Sequence, residues 1–168
     1  MVAIPRIWSF ALLFLPGGLL LAQDSEPASR VYAVASKSVF TIIVKSASGQ
    51  PVGQATGFSV EGNKIVTNEH VVRMGSPFLD LGAIRVPLKV VSIDAKNDLA
   101  VLSPEGEISS PPLRLASAEP KPGVAVFALG NPAGLEKSIS TGVVAAAREF
   151  RGRHLLQITA PISPGSSG

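Results

Sequence analysis

Apolar and polar residues alternate along this chain in short runs that stop at turn residues, the signature of strands rather than of long helices. Val39–Val44, Gly57–Val60, Lys64–Thr67, Pro77–Leu81, Leu88–Ile93 and Leu99–Leu102 form a first set of such runs. Gly123–Leu129, Ser138–Val144 and Leu155–Thr159 form a second. Between them stand Glu61-Gly62-Asn63, Ser103-Pro104-Glu105-Gly106 and Lys121-Pro122-Gly123. Glycine and asparagine accept left-handed dihedrals and proline presets φ, so these clusters turn the backbone. Only Arg30–Lys37, with Val31, Ala33, Val34 and Ala35, predicts one or two helical turns. The expected fold is all-β, a sandwich or a barrel. Ile108–Pro122, carrying Pro111, Pro112 and Pro120, reads as a connector between two β units.

The pattern differs upstream. One positive charge, Arg6, precedes an almost unbroken apolar run over Ile7–Leu21, and Ala22 leads into the polar Gln23-Asp24-Ser25-Glu26-Pro27. A basic start, an apolar middle and a small residue at the exit describe a secretory signal peptide over residues 1–22. Pro16, Gly17 and Gly18 interrupt the run, which is short for a bilayer span, so membrane contact is expected only through an uncleaved leader. Residues 23–33 are expected to form a flexible arm.

Composition narrows the function. The chain has 168 residues, 46% hydrophobic and 16% charged, which suits a packed core. Its 16 glycines and 14 prolines match many turns between short elements. A net charge of +3 with 5% aromatics offers no surface for nucleic acid. With no cysteine there is no disulfide, thiolate metal site, cysteine nucleophile or lipid-modified cysteine. Export without cysteine favours a bacterial periplasm or exterior over a disulfide-rich secretory route.

Three places carry candidate chemistry. His70 follows a β run in Ile65-Val66-Thr67-Asn68-Glu69-His70-Val71-Val72, at an expected strand end where a base can face a cleft. Asp98 opens the apolar run Asn97-Asp98-Leu99-Ala100-Val101-Leu102. Pro161-Ile162-Ser163-Pro164-Gly165-Ser166-Ser167-Gly168 places small residues around serines, where a tight turn can aim several N–H groups at one oxyanion. Singly, each has a plain structural reading: a half-buried histidine, a strand-entry aspartate, a flexible Ser/Gly tail. Jointly they stand in the order His, Asp, Ser, which among serine-hydrolase templates belongs to the all-β type.

With these residues in view, the chain resembles the trypsin-like serine proteases, and among them the bacterial HtrA/Deg branch. The resemblance runs from about Ala33 to Gly168. It rests on Ala55-Thr56-Gly57-Phe58-Ser59-Val60, Thr67-Asn68-Glu69-His70-Val71-Val72, Asn97-Asp98-Leu99-Ala100-Val101-Leu102, Phe127-Ala128-Leu129-Gly130-Asn131-Pro132 with Ser140-Thr141-Gly142-Val143-Val144, and Ala160–Gly168. It implies a Greek-key double β-barrel over residues 34–168: an N-terminal barrel about 34–107, a connector about 108–122 and a partial C-terminal barrel about 123–168. Ser167 would be the nucleophile, His70 the general base and Asp98 its orienting carboxylate. The backbone N–H groups of Gly165, Ser166 and Ser167 would make the oxyanion hole.

The same resemblance implies an exported endopeptidase, periplasmic or secreted, that needs no cofactor or metal and acts on polypeptides, unfolded exported proteins and their quality control among them. Oligomerisation is compatible with it. Ser166 stands where the family has Asn or Asp, so activation by an ion pair to a new N-terminus is not expected, and removing residues 1–33 should not switch activity on. The family's second barrel continues past the nucleophile, so the chain reads as truncated just after that motif. A peptide- or partner-binding module of the same fold, or an inactive fragment, is the alternative. Elsewhere, Arg151-Gly152-Arg153-His154 reads as a solvated turn or a contact for an acidic partner, and Gly130–Gly134 before Lys137-Ser138 lacks the Gly-Lys step of a phosphate loop. His70 and His154 lie too far apart for a zinc-ligand pair.

Overall fold

A computed structural model describes residues 26–131 and 137–163. The proposed leader and the serine turn at 164–168 therefore lie outside the described residues. Helix α1 (Glu26–Ala35) opens the described chain, with Pro27 in its first turn, where a missing N–H is no loss. It takes in most of the stretch expected to be a flexible arm and begins before the predicted helical turns at Arg30. A short turn of tighter helix, Ser36–Ser38, leads into the first strand.

Strands β1 (Val39–Lys45), β2 (Pro51–Val60), β3 (Lys64–Thr67), β4 (Ser76–Asp80), β5 (Arg85–Asp94) and β6 (Leu99–Pro104) follow, with helix α2 (Glu69–Arg73) between β3 and β4. They close into a barrel in the order β1-β2-β3-β6-β5-β4, every neighbouring pair antiparallel. Closure leaves the barrel no free edge. Alternate side chains of each strand point inward, and Ile42, Val44, Ala55, Ile65, Val71, Leu79, Leu88, Ala100 and Leu102 make one buried core. Full burial of each large aliphatic residue contributes about 1.5–3 kcal/mol. Gly57 is required inside it, because a Cβ there would stand 2.6 Å from Ile42 Cδ1 and 2.9 Å from Ile65 Cγ2.

The connector carries no strand but is tied to the barrel. Leu113 N–H donates to Ser59 O at 2.9 Å, and the Ser38 and Ser59 hydroxyls both donate to Pro111 O, at 2.5 and 3.0 Å. Beyond it, β7 (Ala125–Gly130), β8 (Ser138–Phe150) and β9 (Arg153–Ile158) form a three-stranded antiparallel sheet. The expected all-β architecture holds: one closed barrel and the partial sheet of a second.

Candidate active site

His70 is carried differently from expectation. It lies in the first turn of α2, one residue after the start of a five-residue helix, and not at the strand end itself. Val71, the next residue, is buried in the barrel core and fixes which way the helix faces. Glu69 is buried and pairs with Arg73 one turn on, Oε1 to Nε at 3.2 Å. His70 is thereby left with its side chain 40% exposed, half sheltered and open to a reactant.

Asp98 comes from the turn between β5 and β6. Asp94 shapes that turn, accepting the Asn97 backbone N–H at 3.0 Å and the Asn97 Nδ2 at 2.6 Å. These bonds hold the Asp94 carboxyl below its ordinary range. Asp98 itself takes a left-handed backbone, φ 57°. Its carboxylate meets His70 at three points: Nδ1 to Oδ2 at 2.9 Å, Nδ1 to Oδ1 at 3.1 Å, and the His70 backbone N–H to Oδ1 at 2.9 Å. Partial burial pushes the Asp98 carboxyl up. The His70 backbone N–H, the His70 ring and the charges of His70 and Arg153 outweigh it and hold the group below 3.8. A carboxylate on Nδ1 places the ring proton there and leaves Nε2 with its lone pair as the basic nitrogen.

The segment after β9, which leads toward the proposed nucleophile, is pinned to β8. Thr159 N–H donates to Val143 O at 3.0 Å, Val143 N–H to Thr159 Oγ1 at 2.9 Å, and the Ser140 hydroxyl to Pro161 O at 2.6 Å. Gly142 permits this approach: a Cβ there would collide with the Ala160 backbone, 2.7 Å from its Cα. Gly165, Ser166 and Ser167 lie outside the described residues.

Sequence reasoning passed over a buried polar bridge between the two units. The Thr67 hydroxyl, just before the His70 helix, donates to Thr56 O at 2.8 Å. The Thr56 hydroxyl accepts the Asn131 N–H at 3.0 Å, and Asn131 Oδ1 accepts the Lys137 N–H at 2.8 Å. Thr56 and Asn131 both stand in the motifs that carried the resemblance, so the signal was present without its reason. His154 lies in β9 rather than in the turn, between the chain's own Glu119 at 3.7 Å and Glu149 at 3.5 Å. Among the described residues no group of three or more His, Asp or Glu side chains is placed to hold a metal ion.

Comparison with known proteins establishes the chain's kinship. Residues 55–168 match the trypsin-like peptidase domain. The chain is 36% identical over 133 residues to "Protease Do-like 1, chloroplastic" of Arabidopsis thaliana, covering 70% of this chain and 30% of that protein. It is 35% identical over 134 residues to "Probable periplasmic serine endoprotease DegP-like" of Chlamydia trachomatis, covering 68% and 25%. The chain thus spans a quarter to a third of the length of these relatives. Among solved structures it superposes on the active form of the Rv3671c protease of M. tuberculosis with a TM-score of 0.77 at 25% identity, over 99% of this chain and 77% of that one. An HtrA-type protease crystallised with a tripeptide shares the fold, with a TM-score of 0.72 at 23% identity over 83% of this chain and 48% of that one. The chain belongs to the trypsin-like peptidase family, on its HtrA/Deg side.

Proposed function

We propose that the chain is the peptidase domain of an exported serine endopeptidase that uses His70, Asp98 and Ser167 as a triad. The observation that carries this reading is the threefold contact of Asp98 with His70, Nδ1 to Oδ2 at 2.9 Å. It leaves Nε2 as the free base in a half-exposed position. In this mechanism Ser167 Oγ attacks the scissile carbonyl carbon as His70 Nε2 takes its proton. The tetrahedral oxyanion is received by backbone N–H groups of Gly165–Ser167, a contribution worth about 10²–10³ in kcat per donor. His70 then gives that proton to the leaving amine, the C–N bond breaks, and an acyl ester on Ser167 remains. Water, deprotonated by His70, hydrolyses the ester and restores the serine. Asp98 keeps the ring in the right tautomer and balances the imidazolium charge.

The relatives named as periplasmic endoproteases support a periplasmic or secreted setting. The apolar run after Arg6 is the ground for reading residues 1–22 as leader, and residues 34–168 are proposed as the peptidase unit. The proposed substrates are polypeptides, with unfolded exported proteins foremost. The test is covalent labelling by a fluorophosphonate together with hydrolysis of unfolded casein. Both are expected in the wild type, and both should vanish in Ser167→Ala. A folded protein that neither labels nor cleaves would overturn the enzyme reading in favour of a peptide-binding module.

A further inference from the structure

Asn68 occupies the cap position of α2, extended at φ −77° and ψ 149°, yet its side chain makes no capping bond to that helix. An asparagine there ordinarily turns its carboxamide oxygen back to a backbone N–H two or three residues on. In this molecule the N–H two residues on, that of His70, is taken by Asp98 Oδ1 at 2.9 Å, from a residue far along the chain. The Asn68 carboxamide points the other way and donates from Nδ2 to the Asp98 carbonyl oxygen at 2.8 Å. The two residues have exchanged roles: Asp98 caps the helix of His70, and Asn68 bonds the backbone of Asp98. That backbone is left-handed, φ 57°, a conformation open to aspartate but costly enough that a bond to its carbonyl helps to hold it.

We propose that Asn68 is a positioning residue for the catalytic pair. Its carboxamide locks the left-handed Asp98 so that one carboxylate grips both the backbone and the ring of His70. The catalytic consequence rests on the triad reading given above; the geometric claim does not. A swing of Asp98 back to an ordinary dihedral carries the carboxylate off the ring nitrogen and frees the imidazole to rotate.

Two substitutions separate positioning from helix capping. Asn68→Ser supplies a hydroxyl able to cap the helix but too short to reach the Asp98 carbonyl, and Asn68→Ala supplies neither. Positioning predicts that each lowers kcat by about 10²-fold, the scale of a small misplacement of reacting groups, with KM within twofold of wild type. It also predicts that the Asp98 carboxyl, followed by ¹³C NMR, titrates closer to its ordinary 3.8 in both variants. Wild-type kcat and an unmoved Asp98 titration in Asn68→Ser would overturn the proposal. If Asn68→Ala does not fold, Asn68→Ser alone decides. The NMR arm needs no turnover: a wild type without hydrolysis whose Asp98 titration still moves in Asn68→Ser refutes the enzyme and upholds the positioning.

Discussion

The barrel and the second sheet are made from the same kind of sequence, short β runs with Gly and Pro between them, yet they bury very different amounts. Six strands close on themselves and place eight apolar residues in one core, to which Val71 of α2 adds a ninth. In the three-stranded sheet and the segment after it, the described buried apolar residues are Val144 and Ala160, while Leu155, Leu156 and Phe150 stay exposed. Closure is what differs. A closed sheet gives every inward side chain a facing partner, whereas an open one leaves a face and two edges without. The pair His70 and Asp98 is built wholly on the closed unit, and the segment leading toward Ser167 wholly on the open one. The two units are nonetheless joined beside the pair, through Thr67, Thr56 and Asn131, and Arg153 of β9 adds its charge at Asp98.

The largest expected effect comes from cutting the barrel core. Leu102→Ala should cost about 2–5 kcal/mol in urea unfolding, whereas Leu156→Ala on the sheet should stay within about 0.5 kcal/mol. Equal losses would erase the contrast. Overfilling comes next: Gly57→Ala in the barrel forces Ile42 and Ile65 apart and should cost about 1–3 kcal/mol. Gly142→Ala drives a methyl group into the Ala160 backbone, so peptidase activity should fall while barrel amides keep their protection from hydrogen exchange. Loss of barrel protection in Gly142→Ala would show that the two units unfold together.

A smaller effect is set by acid. Asp98 has a native value below its ordinary 3.8, so its ionised form favours the folded state. That contribution is complete above about pH 3.8 and is lost as pH falls through that value toward the lower native one. The melting temperature of wild type should converge on that of Asp98→Asn over this window, and parallel curves would contradict it. The smallest effect is at His154. Its contacts with Glu119 and Glu149 are 3.5 Å or longer on an exposed hairpin, so His154→Ala should change stability by less than about 0.5 kcal/mol.

Much of the barrel was legible because its strands are short β-rich runs bounded by turn residues. Val39–Lys45 and Lys64–Thr67 follow their hydrophobic pattern almost to the residue. Strand β2 begins six residues before the predicted Gly57, at Pro51, since Pro51 and Gly53 look like a loop until pairing with β1 straightens them. The long β8 was cut short for the same reason: Ala145–Phe150 has little strand preference of its own and is held by β9. Helix α2 is five residues, too short to show a period. At the candidate site, residue type and order named His70 and Asp98, but no pattern in the sequence announces that Asp98 is left-handed or that Asn68 donates to it. Those facts belong to a tertiary contact spanning 30 residues.

The barrel occupies one continuous stretch, Val39–Pro104, and holds both His70 and Asp98. A chain made from its N-terminus completes that stretch while the rest is still to be translated. At about 5–20 residues per second, the 63 residues from Glu105 to Ser167 take roughly 3–13 seconds more. Through that interval the nascent chain contains both residues of the pair and not the proposed nucleophile. Under the triad proposed above, no hydrolysis can begin before Ser167 has been added, whatever the state of the barrel.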